Sequence, residues 1–268
     1  MFYLFKARKL LFGVILAAFV NQPIASGNEN NFQPHRAYYK MSLGTSKSTS
    51  GIVGVDGRMV FEWRSVCDGW VVEQRYLMRY QKEQGAESVT DTEYSTWESK
   101  DGKQYKFYVT NKLSEGIDDI EGLAIRSTEK KMGTVYFQMP KKIEYQLPVK
   151  SIFPSRHTFS LLEAAKAKKI FLVIPVFDGS ELKNAVSVSS VIGRQKVLKE
   201  PKNTLLTAKY WPIRMAFFSS ESDEAGPSHE MTINLHENGI TSGLTLDYFD
   251  FTINMELVRI EKIAHPSC

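Results

Sequence analysis

Through most of the chain apolar and polar residues alternate, the pattern of strands that bury one face. The clearest stretch is 51–80. Phe61 and Trp63 share one face there, with Glu62 and Arg64 on the other. Further on, Val72, Gln74, Tyr76, Met78 and Tyr80 alternate against Val71, Glu73, Arg75, Leu77 and Arg79. Between the two runs lies Cys67-Asp68-Gly69-Trp70. Asp-Gly reads as a hairpin turn whose glycine supplies a positive φ. Further strands are predicted over 37–43, 88–98, 104–110, 117–127, 133–138, 141–147 and 170–177. After Pro175 and the Asp178-Gly179-Ser180 turn, the pattern resumes over 185–196, 204–218 (with Pro212 at an edge or bulge), 231–235, 240–249 and 251–263.

The alternation breaks once, after Pro148. Phe159, Leu162 and Ala165 fall on one helical face, with Ser155 as the expected N-cap and Lys166, Lys168 and Lys169 at the C-terminal end. The expected architecture is therefore mainly β: about fourteen strands in a single large curved antiparallel sheet, spiral or barrel-like, with one substantial helix. There is no βαβ alternation, fixed-period repeat or linker, so 28–268 reads as one domain.

Residues 1–27 differ from the rest. Lys6, Arg8 and Lys9 precede an uncharged apolar run over 10–20, and Ala25 and Gly27 suit a cleavage site. This is the layout of a secretory signal peptide. Eleven apolar residues would span about half a bilayer core at about 1.5 Å each, too short for an anchor. Cleavage removes three cations and no acid, which brings the formal charge from +4 to +1. A near-neutral exported chain gives no footing for nucleic-acid binding, and no other apolar run is long enough to span a membrane.

Export gives meaning to the two cysteines, Cys67 and Cys268. Their simplest reading is one structural disulfide; an intermolecular bond and a free thiol are the rivals. Neither has a C-x-x-C context. The chemistry of catalysis is missing: there is no H-E-x-x-H, no G-x-S-x-G elbow and no phosphate loop, and His229 and His236, seven apart, would face opposite ways on one strand. Glu62, Glu73 and Glu93 could work as paired carboxylates, but cross-strand pairing with Arg64 and Arg75 accounts for them. Asp118-Asp119-Ile120-Glu121 reads as a solvated turn. No catalytic, cofactor or metal residue is assigned, and no cofactor is expected. Two non-enzymatic readings remain: a protein that binds other envelope components, or a carrier of a lipid or another apolar molecule in an aromatic-lined concavity.

Several segments, in order, resemble one family. They include Ser50-Gly51-Ile52-Val53-Gly54-Val55-Asp56-Gly57, Cys67-Asp68-Gly69-Trp70, Phe153-Pro154-Ser155-Arg156-His157-Thr158, Phe177-Asp178-Gly179-Ser180-Glu181, Leu235-His236-Glu237-Asn238-Gly239-Ile240 and Leu246-Asp247-Tyr248-Phe249-Asp250-Phe251, with a cysteine at 268. Together they are similar to the EipB-like family of periplasmic envelope-integrity proteins. The resemblance implies a β-spiral akin to lipoprotein-carrier folds, an internal disulfide between Cys67 and Cys268, and no enzymatic activity. It further implies a role in envelope integrity through protein partners, a tetratricopeptide-repeat protein among them. The extreme terminal position of Cys268 departs from the family pattern and puts the packing of the tail in question.

Overall fold

The structure, a computed structural model, describes residues 32–83, 85–113, 116–127, 131–201, 203–219 and 226–268; the expected signal segment 1–27 lies outside the described residues. Eight strands come first: β1 (His35–Ser46), β2 (Ile52–Ser65), β3 (Gly69–Lys82), β4 (Glu87–Ser99), β5 (Gln104–Leu113), β6 (Gly116–Ile125), β7 (Gly133–Met139) and β8 (Ile143–Leu147). A helix, α1 (Pro154–Lys166), follows. The second half holds β9 (Phe171–Val176), β10 (Val186–Ile192), the two-residue β11 (Lys196–Val197), β12 (Lys209–Phe218), β13 (His229–His236), β14 (Thr241–Asp247) and β15 (Phe251–Lys262).

All fifteen strands belong to one sheet, in the order β8-β7-β6-β5-β4-β3-β2-β1-β15-β14-β13-β12-β10-β9, with β11 on β12. Every ladder is antiparallel, and the last strand returns to pair with the first, Met41 opposite Met255. The expected mainly-β architecture with one helix is what the chain forms. Pro175 sits on β9, a sheet edge. Pro212, on internal β12, lies just past the end of the β10 ladder, where its missing N–H removes no ladder bond.

The sheet rolls up but does not close. Its two edges, β8 and β9, approach through the segment between them. Ile152 makes a parallel bridge to Val176. Asn184 Nδ2 donates to the Gln146 carbonyl at 3.0 Å. The connection before β10 is fixed from inside, where the hydroxyls of Tyr94 and Tyr105 both donate to the Asp178 carbonyl. Gly179 allows this approach: its φ is +71°, and a Cβ there would stand 2.5 Å from the Phe107 ring.

Helix α1 lies within the roll. Phe159 packs with Phe32, Trp63 and Trp70. Leu161, Leu162, Ala164 and Ala165 pack against β9, β10, β12 and β13. The expected N-cap is corrected. Phe153 is the capping residue, with no side-chain cap bond of its own, and Pro154 opens the first turn. Instead the Glu98 carboxylate reaches over from β4 and accepts from the Ser155 and Arg156 amides at 2.8 and 3.0 Å. A carboxylate at this site meets both the orphan donors and the positive end of the helix dipole.

Two turn readings also change. Gly69 has no positive φ. It is glycine because a Cβ would collide with Trp97 Nε1 at 2.3 Å and the Glu98 carbonyl at 2.6 Å. The 118–121 acidic run lies within β6, not in a turn, and Asp119 accepts from Thr110 Oγ1 at 2.7 Å. At the Asn238-Gly239 turn the glycine does take a positive φ, +86°.

Candidate functional site

The inward faces of the strands do not fill the roll. Beyond the helix a cavity of about 570 Å³ remains. One wall is formed by methionines: Met41, Met59, Met78, Met215, Met231 and Met255 all line it. These are six of the chain's nine methionines, each on the inward phase of its strand. Leu244, Leu246 and Ile233 complete this apolar wall. Methionine suits such a lining because its unbranched, polarisable side chain adapts to irregular apolar shapes.

The facing wall, from β3 to β5, is more polar. Gln74, Thr90, Thr92, Tyr94 and Asn111 line it, and Thr92 Oγ1 donates to Asn111 Oδ1 at 2.8 Å. Asp178 and Ser180 add to this side from the β9–β10 connection. The cavity runs from buried Leu161 and Leu235 out to a set of half-exposed rings. There Phe217 stacks on His229 at 4.4 Å, His229 approaches Tyr248 at 5.9 Å, and Tyr248 stacks on Phe251 at 5.3 Å. Tyr248 is 40% exposed. This is the open end.

Two polar groups in the lining stand out. Trp63 Nε1 and His157 Nε2 are buried with no hydrogen-bond partner among the described residues. Burial pushes His157 down to about 4, so its ring is neutral at neutral pH. His35, on the same lining, is likewise held at about 4 by burial, although its Nδ1 lies 2.8 Å from the Gln33 carbonyl. A cavity with an adaptable apolar wall, a hydroxyl- and amide-bearing wall and neutral hydrogen-bonding groups at depth can hold an amphipathic molecule.

The residues singled out from sequence fall elsewhere. Cys67 and Cys268 are joined by a disulfide, their Cα atoms 5.6 Å apart, tying the tail to the β2–β3 turn. Glu62 and Glu73 stand directly opposite each other on the outer face. Arg64 pairs with both of them, and Arg75 with Asp91 and Glu93. Arg64–Glu62 runs along β2 and the other pairs cross between strands. His229 faces the cavity, while His236 is buried away from it with Nδ1 2.7 Å from the Thr207 carbonyl. Sequence reasoning missed His157 and the methionine wall. The available signal was methionine recurring in phase with aromatic residues along β1, β2, β3, β12 and β15.

Fold and site define a barrel-like β protein that encloses a ligand-sized cavity. Comparison with known proteins gives it a family. The sequence model of the EipB-like family matches residues 26–264, and the chain belongs to that family. It is similar to the cell envelope integrity protein EipB of Brucella abortus (strain 2308), 31% identical over 239 residues that cover 85% of this chain and 83% of that protein. It is also similar to a crystal structure described as a beta-barrel-like protein of a domain of unknown function, DUF1849, from Brucella abortus. That match has a TM-score of 0.80 at 28% identity and covers 87% of this chain and 99% of the other. Among the described residues no helix is long and apolar enough to cross a membrane.

Proposed function

We propose that this protein supports cell-envelope integrity as a periplasmic, non-enzymatic binder of an amphipathic molecule, held in its methionine-lined cavity. The relative's name supports the envelope role. The observation that carries the binding role is the cavity itself: its volume of about 570 Å³ is in the range of ligand sites, about 300–1,000 Å³, and it opens through aromatic rings. Solvent extraction and mass spectrometry of protein purified from envelopes should return a lipid or similar amphiphile near one per chain. Replacing Met231 with Trp should displace it by filling the cavity while the fold persists. Extracts without a ligand, from a protein that also fails to bind a fluorescent fatty acid, would sink the proposal.

A second reading, binding of protein partners, is favoured by a different observation. Edge strand β9 carries Phe171 and Val173, both exposed. Affinity capture from envelope extracts tests it, and repeated capture of no protein counts against it.

A further inference from the structure

The outer surface where α1 hands over to β9 differs from the rest of the sheet. Ile170, Phe171 and Val173 are 75%, 56% and 48% exposed, and Val191, the cross-strand neighbour of Phe171 on β10, is 54% exposed. Single exposed apolar residues are ordinary, but contiguous ones call for a reason. Here they lie along one ladder and its entry.

The same strand leaves backbone unpaired. Inward hydrogen bonding fixes the phase: the Ile170 carbonyl accepts from Ile192 on the β10 side. On the other side, the Pro175 carbonyl and the Phe177 amide pair with Ile152. With a period of two, the N–H and C=O of Phe171 and Val173 also point away from β10, along the open edge. Natural sheets guard such edges, because a free row of donors and acceptors is a template for another strand.

Charge surrounds this edge. Lys168 and Lys169 immediately precede Ile170, and Arg194 and Lys196 follow the Ile192 that pairs with it; all four are exposed. Among the described residues none of them has an ion-pair partner, whereas Arg64 on β2 and Arg75 on β3 are each paired with two acids. Lysine on an edge ordinarily repels another chain. Around an edge that also exposes apolar side chains, it selects one of opposite charge.

We infer that β9 is a docking edge for an extended acidic segment of another protein, which adds to the sheet as a further antiparallel or parallel strand. Its backbone pairs with Phe171 and Val173, its apolar side chains cover Phe171, Val173 and Val191, and its carboxylates face Lys168, Lys169, Arg194 and Lys196. This rests on the protein-partner reading and is independent of the cavity.

The test uses purified full-length mature protein and two labelled decapeptides, one alternating valine with glutamate and the other valine with lysine. The acidic peptide should bind at least tenfold more tightly, and added salt should narrow the gap. Val173→Pro removes an edge donor without breaking the β9–β10 ladder, and should weaken the acidic peptide at least tenfold with an unchanged melting temperature. The charge reversal Lys168→Glu, Lys169→Glu and Arg194→Glu should do the same and remove the preference, so the inference stays testable if the proline variant misfolds. Equal binding of both peptides, or full binding by both folded variants, overturns it. So does the absence of peptide binding alongside sedimentation with phosphatidylglycerol vesicles, which would mark a membrane-facing patch. A concentration-dependent dimer lost in Val173→Pro, again without peptide binding, overturns it in favour of a second copy. If envelope proteins are captured equally by wild type and Val173→Pro, the edge is wrong and partner binding stands. If the wild type captures none, partner binding itself fails.

Discussion

The two ends of the rolled sheet solve the same problem in opposite ways. At one end Phe159 of α1 is locked among Phe32, Trp63 and Trp70, with ring centroids 4.2 to 6.2 Å apart. At the other end the inward residues are methionines, and they leave space. Aromatic rings are rigid and reward one arrangement, whereas methionine tolerates several. The difference teaches where the molecule obtains its stability and where it gives stability up. The helix end holds the fold; the methionine end is left adaptable for a guest.

The sharpest way to break this division is at the helix end's tether. Cys67→Ser frees a loop with ends 201 positions apart, which on the chain-entropy relation costs about 5 kcal/mol. The melting temperature of the variant in oxidising buffer should fall to that of reduced wild type, and reductant should change the variant little. Equal melting temperatures for variant and oxidised wild type would show that the bond does not carry this end.

Next is the aromatic plug. Phe159→Ala should cost about 3–5 kcal/mol in denaturant unfolding, the usual range for a buried ring in a rigid site. A loss below about 1 kcal/mol would mean that the helix end is no better packed than the cavity.

Acid probes the same boundary. His35 and His157 have folded pKa values near 4, below the ordinary 6.5, so the unfolded chain binds their protons first. Their contribution is whole above about pH 6.5 and is lost as pH falls through about 4, up to roughly 3 kcal/mol each. Glu98 runs the other way. Burial lifts it to about 7 against the lowering effect of the Ser155 and Arg156 amides. Its contribution is whole below about 4.5 and fades as pH rises through 7. Glu98→Gln should therefore steepen the net rise of stability with pH between 4.5 and 6.5, and His157→Gln should flatten it. Unchanged pH profiles in thermal melts would refute both assignments.

The smallest effect is expected at the open end. Met231→Leu should change stability by less than about 1.5 kcal/mol, because a volume-conserving swap in a loosely filled site disturbs little. The informative readout is ligand exchange, which should shift while the melting temperature stays put.

How far this could be read from the chain follows from the range of each signal. Two-residue alternation is local, and it correctly grouped Phe61 with Trp63 and Tyr76 with Met78 on shared faces, which the fold then turns inward. The helix was visible for the same reason. Its cap was not, because Glu98 lies 57 positions from Ser155 and nothing near the helix points to it. Gly69 invited a turn argument, whereas its reason is the proximity of Trp97 on another strand. The cavity depends on how much volume many inward side chains fill, which no local pattern reports. The run Phe171-Leu172-Val173-Ile174 is apolar on both phases, so alternation does not tell which face meets water. Only the sheet order reveals that it is an edge with one face in water.

The pairing of β1 with β15 has a consequence for how the chain comes into being. The ladder joins His35 to Lys262, so the strand at the centre of the sheet lacks one neighbour until Phe251–Lys262 has been made. Every earlier stage presents β1 with a bare flank, and contacts this distant in sequence form slowly. The period between synthesis of β1 and arrival of β15 is thus when the chain is most exposed to mispairing. The final step that ends it also brings Cys268 to Cys67.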